Sequence, residues 1–309
     1  MPASRRRDVE HQAKIQAPAT LAYQLIANVT NWSWIFPTTV HAERLAGDDA
    51  ADRVGVWTTT DGTINHWVAV RRLDPRALRV SYRQETARPP VADMGGTWIF
   101  EPRGDRECLV RLQHDYQALD EDRDTLSWIE EVLDRLSTDE LAAFQAGAEL
   151  ASARPQRLLT FTESVVTGGS TGDVYGFLRD MRKWVELVPD LVHVEVRHDV
   201  EDVQVVRTET LTGHGRHASE VVRVCRPGAI AYRHLVVPPL ATVHTGEWRV
   251  TSGSDGTVAT ARHTVVFDEE GIPTVLGAGA DLEEARRFAQ RELGAGSVAV
   301  LNAARAHLG

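Results

Sequence analysis

Apolar positions along this chain follow two periods. In the segments near 53–60, 64–73, 77–85, 96–101 and 107–117, β-branched and aromatic residues are concentrated and often alternate with polar ones. Turn signals such as Asp61-Gly62 and Asp74-Pro75 separate them, which predicts an antiparallel meander. Ahead of the meander, Leu21, Leu25 and Ile26 give one apolar face to a helix starting near Pro18 to Thr20, where proline suits the first turn. Behind it, Leu126, Ile129, Leu133 and Leu136 recur at helical spacing. The predicted order is a short strand, a helical pair, a run of strands and a long terminal helix.

The same order then repeats. A shift of 152 residues places Tyr23 on Tyr175, Trp32 on Trp184, Pro37 on Pro189, Val40 on Val192 and Glu43 on Glu195. At 150, Tyr82-Arg83 meets Tyr232-Arg233 and Gly96-Thr97-Trp98 meets Gly246-Glu247-Trp248; at 149, His114 meets His263. A period this long is a duplicated domain and not a solenoid repeat. In the second copy Leu282, Ala285, Phe288 and Leu293 mark the terminal helix. Its first helix follows Gly168-Gly169-Ser170-Thr171, a turn with a Ser/Thr cap, since no lysine follows to make a phosphate loop. The expectation is an α+β protein of two tandem domains, residues 1–150 and 158–309, joined by a linker over Ala151 to Arg157. Each would be a curved antiparallel sheet around a long C-terminal helix, with a wedge between them able to hold a ligand.

Composition narrows the function. A chain of 309 residues with 42% hydrophobic and 25% charged residues suits two globular domains, and no apolar run reaches the length of a membrane span. The basic stretch Met1 to Glu10 lacks a following apolar region, so it reads as a frayed tail and a cytoplasmic location follows. The net charge of −10 argues against an extended nucleic-acid face. Lys14 and Lys183 are the only lysines, so abundant arginine alone says nothing of function. Cys108 and Cys225 occupy unmatched positions, which indicates buried free thiols, with neither a disulfide nor a metal site. His214 and His217 face opposite sides of a strand, an unconvincing metal pair.

In the strand over 63–73, alternation puts Asn65, Trp67, Ala69 and Arg71 on one face and His66, Val68 and Val70 on the other. A cavity-facing guanidinium suits oxygen-rich ligands, but a buried arginine also commonly has a carboxylate partner, and the strand pattern favours that structural pairing.

The pattern Trp32-x-x-x-Phe36, Trp67-x-x-x-Arg71, Arg83 and Met94-x-x-x-Trp98 resembles the aromatase/cyclases of bacterial type II polyketide synthases, over nearly the whole chain and in the di-domain form. The resemblance implies helix-grip (Bet v 1/START-like) domains and an enzyme that closes and aromatises the first ring of a poly-β-ketone. It implies catalytic roles for Arg71 and Arg83 and pocket walls at Trp32, Phe36, Met94 and Trp98. The family's pocket serine and tyrosine fall at Ala69 and Thr39, leaving Asn65, Tyr82, His66 and His114 as replacements, although the parity of His66 points away. Copy two keeps Trp184, Arg233 and Trp248. Ser219 takes the family serine's place and Val221 stands at Arg71, with Val188 and Leu191 replacing Phe36 and the tyrosine. Arg223 or His217 would have to substitute for the arginine, so the main site is expected in copy one. No cofactor or metal is implied. The implied partners are a minimal polyketide synthase and its acyl carrier protein, whose phosphopantetheine arm carries the substrate; nucleic acid and membrane are not. The same cavity would also suit a binder or chaperone that holds a hydrophobic polyketide or lipid without turning it over.

Overall fold

The computed structural model describes residues 5–60, 63–212 and 215–308. The turn at Asp61-Gly62 and His214 lie outside the described residues. The chain divides into two compact units, Met1–Pro155 and Gln156–Gly309. Each has one seven-stranded antiparallel sheet and one long helix.

The N-terminal unit runs β1 (Arg7–Ile15), α1 (Ala19–Ala27), a 3-10 turn (Val29–Asn31), α2 (Trp32–Ile35), β2 (Thr39–Gly47), β3 (Ala51–Thr60), β4 (Thr63–Asp74), β5 (Arg79–Gln84), β6 (Val91–Pro102), β7 (Cys108–Ala118) and α3 (Arg123–Ala153). The sheet order β1-β7-β6-β5-β4-β3-β2 is a meander onto which the first strand folds back. The basic stretch is therefore not all tail: Arg7 to Glu10 pair with Tyr116 to Gln113 of β7, because the edge left by the last meander strand needs a partner for its backbone groups. β2, a strand outside the predicted meander, closes the opposite edge. The Asp122 carboxylate caps α3 by accepting from the backbone N–H groups of Asp124 and Thr125. Ile129, Leu133, Ser137, Leu141, Phe144 and Ala148 form the stripe that α3 buries, whereas Leu136 is half-exposed. Since α3 runs to Ala153, the first three residues of the expected linker are helical.

The C-terminal unit repeats the plan: β8 (Leu158–Thr167), α4 (Thr171–Arg179), a 3-10 turn (Met181–Lys183), α5 (Trp184–Leu187), β9 (Leu191–Val200), β10 (Val203–Thr212), β11 (Gly215–Arg226), β12 (Ala229–His234), β13 (Ala241–Gly253), β14 (Gly256–Phe267), a short α6 (Ile272–Leu276) and α7 (Leu282–Leu308). Ser170 opens α4 with a capping box closed by Asp173. Cys108 and Cys225 are buried and free. Among the described residues, no helix is long and apolar enough to cross a membrane.

Candidate active site

Strand register decides which side chains meet over the sheet. Tyr82 pairs with both Arg71 and Gly96, and Gly96 with His114, so these positions share the face covered by α3. Gly96 is required there: a Cβ would sit 2.9 Å from the Tyr82 hydroxyl. His114 Nδ1 lies 3.1 Å from Ser137 Oγ on α3, which confirms the direction. Trp32, Trp67 and Tyr82 pack on a buried cluster that includes Val54, Val56 and Ala69. Phe36 continues the wall, 6.0 Å from Trp32 and 6.4 Å from Trp98, and Trp98 meets Phe144 of α3 at 5.3 Å. Asn65, Trp67, Tyr82 and Met94 remain only partly buried although they sit on this inner face, as expected of residues lining an open wedge. Met94 belongs to a different end of it, against Tyr116, Ile129 and Leu133. The Asn65 amide oxygen accepts from Arg88. His66 is on the outer face, stacked on Trp57, and Thr39 is buried.

The two arginines behave differently from the expectation. Arg71 is 1% exposed and donates from Nε and Nη2 to the Asp52 carboxylate at 2.8 and 2.6 Å. Its Nη1 and Nη2 also reach the carbonyls of Ile26 and Ala27 at the end of α1, at 3.1 and 3.0 Å. Four of its five N–H groups are thereby engaged, so the oxyanion-donor role is corrected to a structural one. Arg71 ties α1 to the sheet and lies 5.5 Å over Trp32, fixing that wall from behind. It also borders a recess of about 800 Å³ outside the aromatic wall, lined by Gln24, Asn28, Arg44 and Pro75 among others. Arg83 pairs with Gly95 and half-exposed Val70, on the outer face of the sheet. There it bonds Asp93 at 2.7 Å and Asp115 at 2.6 Å, carboxylates that Arg6 shares. With Val80 and Tyr82 turned inward, alternation leaves Arg83 no route to the wedge, and it is removed from the site.

One ionisable group in the wedge escaped the sequence reading. Glu140 follows Ser137 by three residues and precedes Phe144 by four, on the inner stripe of α3. Burial pushes its carboxyl up to about 7, and among the described residues no basic group offsets that. Tyr82 is held well above the usual phenol range, first by burial and then by the Glu140 charge, so it stays protonated. His114 is lowered to about 4, chiefly by burial, and is neutral at pH 7. A carboxyl that titrates near neutrality beside a phenol donor can exchange protons with a carbonyl compound held against the tryptophans.

Copy two also departs from expectation. Gln204 pairs with Arg223 as Asp52 pairs with Arg71, and both arginines pair with the tyrosine of the next strand. Arg223 therefore stands at the Arg71 position, while Val221 matches Ala69 and Ser219 matches Trp67. The arginine is not missing. Arg223 donates to the carbonyls of Leu178 and Arg179 and to Gln204 Oε1, and lies 5.7 Å over Trp184. Burial lowers its pKa. Trp248 meets Trp184 at 5.9 Å, and Ser219 bonds His234. Val188 packs at the margin of the buried cluster that holds Leu191. Arg233 shares the outer face with Val222 and Thr245, buried and lowered to about 10 by that burial, and His217 is exposed at the start of β11. Among the described residues, no three His, Cys, Asp or Glu side chains are arranged to hold a metal ion.

Residues 6–149 match the family described as polyketide cyclase/dehydrase and lipid transport. The granaticin polyketide synthase bifunctional cyclase/dehydratase of Streptomyces violaceoruber is 38% identical, over 94% of this chain and 91% of its own. The chain belongs to the polyketide cyclase/dehydratases. A second member, the actinorhodin polyketide synthase bifunctional cyclase/dehydratase of Streptomyces coelicolor, is 37% identical over 97% of this chain and 96% of that one. Two solved di-domain aromatase/cyclases share the whole architecture of this cyclase/dehydratase. BexL, from the BE-7585A biosynthetic pathway, superposes with a TM-score of 0.92 at 39% identity, covering 98% of both chains. StfQ, from the steffimycin pathway, gives 0.87 at 30% identity, covering 96% of this chain and 97% of its own.

Proposed function

We propose that this cyclase/dehydratase works in the cytoplasm with a minimal polyketide synthase, taking a poly-β-ketone on the phosphopantetheine arm of an acyl carrier protein and directing closure of its first ring by aldol addition, with loss of water to an aromatic ring. The observation that carries the reading is Glu140, a part-buried carboxyl on α3 pushed up to about 7, whose charge in turn raises Tyr82 on the inner face of the sheet. Trp32, Phe36, Trp67 and Trp98 hold one folded conformer, which brings one enolate carbon to one carbonyl. Glu140, ionised in part at neutral pH, takes the methylene proton between two carbonyls. The attacked oxygen receives a proton from Tyr82 or from the Glu140 carboxyl just formed. Asn65 and Met94 line the two ends of the wedge, and His114 with Ser137 fixes its floor. Arg71 acts through Trp32 as a positioning residue.

The test is to supply the full chain and its Glu140→Gln variant to a minimal polyketide synthase and compare products. Ring closure slowed by roughly 10²–10⁴ in the variant, with shunt products in its place, is the expected result. Wild-type products at the wild-type rate would leave the wedge as a binding cavity only.

A further inference from the structure

The C-terminal domain holds a cluster of titratable groups for which ring closure has no use. On the inner face of its sheet, Ser219 of β11, Tyr232 and His234 of β12, His244 of β13 and His263 of β14 come together beneath Ser297 of α7. Ser219 Oγ is 2.7 Å from His234 Nδ1. The Tyr232 hydroxyl and His244 Nε2 lie 2.9 and 3.1 Å from His263 Nδ1, and His263 Nε2 lies 2.8 Å from Ser297 Oγ. The rings of His234 and His244 stack 4.3 Å apart and 5° from parallel. The N-terminal domain keeps the tyrosine, Tyr82, and the His–Ser pair, His114 with Ser137, but Gln84 and Met94 occupy the places of His234 and His244.

The members differ in access. His244, His263 and Ser297 are buried, whereas Ser219 and His234 are partly exposed on the inner face. With Nδ1–H of His234 donating to Ser219 Oγ, the Nε2 lone pair meets no hydrogen-bond donor among the described residues, the arrangement of an oriented general base. Burial lowers His234 and His263 to about 4 and His244 further, so all three are neutral at pH 7.

We propose that this cluster is a second acid–base site, in which His234, oriented by Ser219, removes water from a β-hydroxy carbonyl in a newly closed ring. The step balances on one group. The bond between the α-carbon and its hydrogen breaks, the proton passes to His234 Nε2, and the electron pair enters the carbonyl as an enolate. The enolate then expels the β-hydroxyl, which takes the proton from His234 and leaves as water, while a carbon–carbon double bond forms and His234 returns to neutral. The face of the neutral His244 ring shelters the transient imidazolium, and Tyr232, His263 and Ser297 hold His244 in place. With His234 lowered to about 4, its imidazolium is a better acid than a free one, suited to returning its proton to the departing oxygen.

This inference rests on ring closure in the N-terminal wedge, and the experiment separates the two. The full chain and its His234→Phe, Ser219→Ala and Glu140→Gln variants are each supplied to a minimal polyketide synthase, and the products are resolved by mass. His234→Phe keeps a flat ring in the stack and removes the base. It is expected to accumulate the correctly closed ring heavier by one water, with the aromatic product formed roughly 10²-fold more slowly. Ser219→Ala shifts the same ratio by less and leaves a small side chain that does not test the fold. Brief acid treatment of the His234→Phe product should yield the wild-type aromatic compound, a readout that a merely structural role would not give. A wild-type ratio of dehydrated to hydrated product in either folded variant overturns the proposal for that residue, and in both it overturns the site. Glu140→Gln reports separately: loss of ring closure there supports the N-terminal reading whatever the histidine variants do, and unchanged closure overturns that reading alone.

Discussion

Arg71 and Arg223 occupy the same station in the two domains, beneath the carbonyls that end the first helix and over the tryptophan that follows it, yet they face different partners. Arg71 meets the Asp52 carboxylate and Arg223 the Gln204 amide. Asp52 also draws Arg44 to 3.4 Å. The N-terminal arginine is thus neutralised as part of a buried pair, whereas the C-terminal one is bonded to carbonyl and amide dipoles. The inner faces differ in the same spirit. In the N-terminal domain the acid–base group is a carboxyl, Glu140, whose place on the other terminal helix is taken by Val300 when Ser137 is set on Ser297 and Leu141 on Leu301. In the C-terminal domain it is a group of imidazoles. Duplication preserved the frame that fixes the first helix, and divergence changed the ionisable groups that frame holds.

The sharpest way to break this comparison is to remove each arginine. Arg71→Met leaves the Asp52 carboxylate, of which no side-chain surface reaches solvent, with only the looser contact to Arg44 and should destabilise the N-terminal domain by up to about 3–5 kcal/mol. Arg223→Met strands only a neutral amide and should cost its domain about half that or less. Chemical denaturation followed by hydrogen exchange resolved by domain checks both, and equal costs would mean that the partner's charge is irrelevant.

Glu140 offers the next largest effect. Its folded pKa stands near 7, above that of an unfolded glutamate, so the unfolded chain loses this proton first and stability falls as pH rises from about 4.5 to about 7. Glu140→Gln removes that penalty and should be more stable than wild type at pH 8 by about 3 kcal/mol, with the gain gone near pH 4.5. Thermal unfolding at the two pH values measures it.

The histidines act in the opposite direction. Their folded pKa values lie below the unfolded one, so their contribution is present above about pH 6.5 and is lost as pH falls towards 4. Three such histidines in the C-terminal domain against one in the N-terminal domain should make the C-terminal domain lose about 2 kcal/mol more between pH 6 and 5. Hydrogen exchange at the two pH values should show α7 opening before α3.

Much of this was legible beforehand. Tryptophans, prolines and tyrosines fixed the duplication, and strand alternation put Arg71 and Trp67 on one face. The assignment of Val221 to the Arg71 position failed for a physical reason. The two-residue difference between copies lies in the turn after β4, where Pro75 to Leu78 correspond to the shorter Pro227-Gly228. A slip of two keeps every side chain on its own face, so alternation could not detect it. Pairing could, because Asp52 opposes Arg71 and Gln204 opposes Arg223. Arg83 was readable as outward once Val80 and Tyr82 were taken as inward. Glu140 was missed because the helix was read from its leucines, and half-exposed Leu136 was counted in the stripe where Ser137 and Glu140 belong. The strand alternation also carried His234 and His244, but nothing in it showed that they stack or that Ser219 reaches His234.

The central claim, that a carboxyl on α3 drives ring closure, is tested most directly by the pH dependence of kcat/KM for closure in the full chain and in Glu140→Gln. The account predicts a limb rising with an apparent pKa near 7 in the wild type and its disappearance in the variant, along with most of the rate. The same limb at the same rate in Glu140→Gln would contradict it.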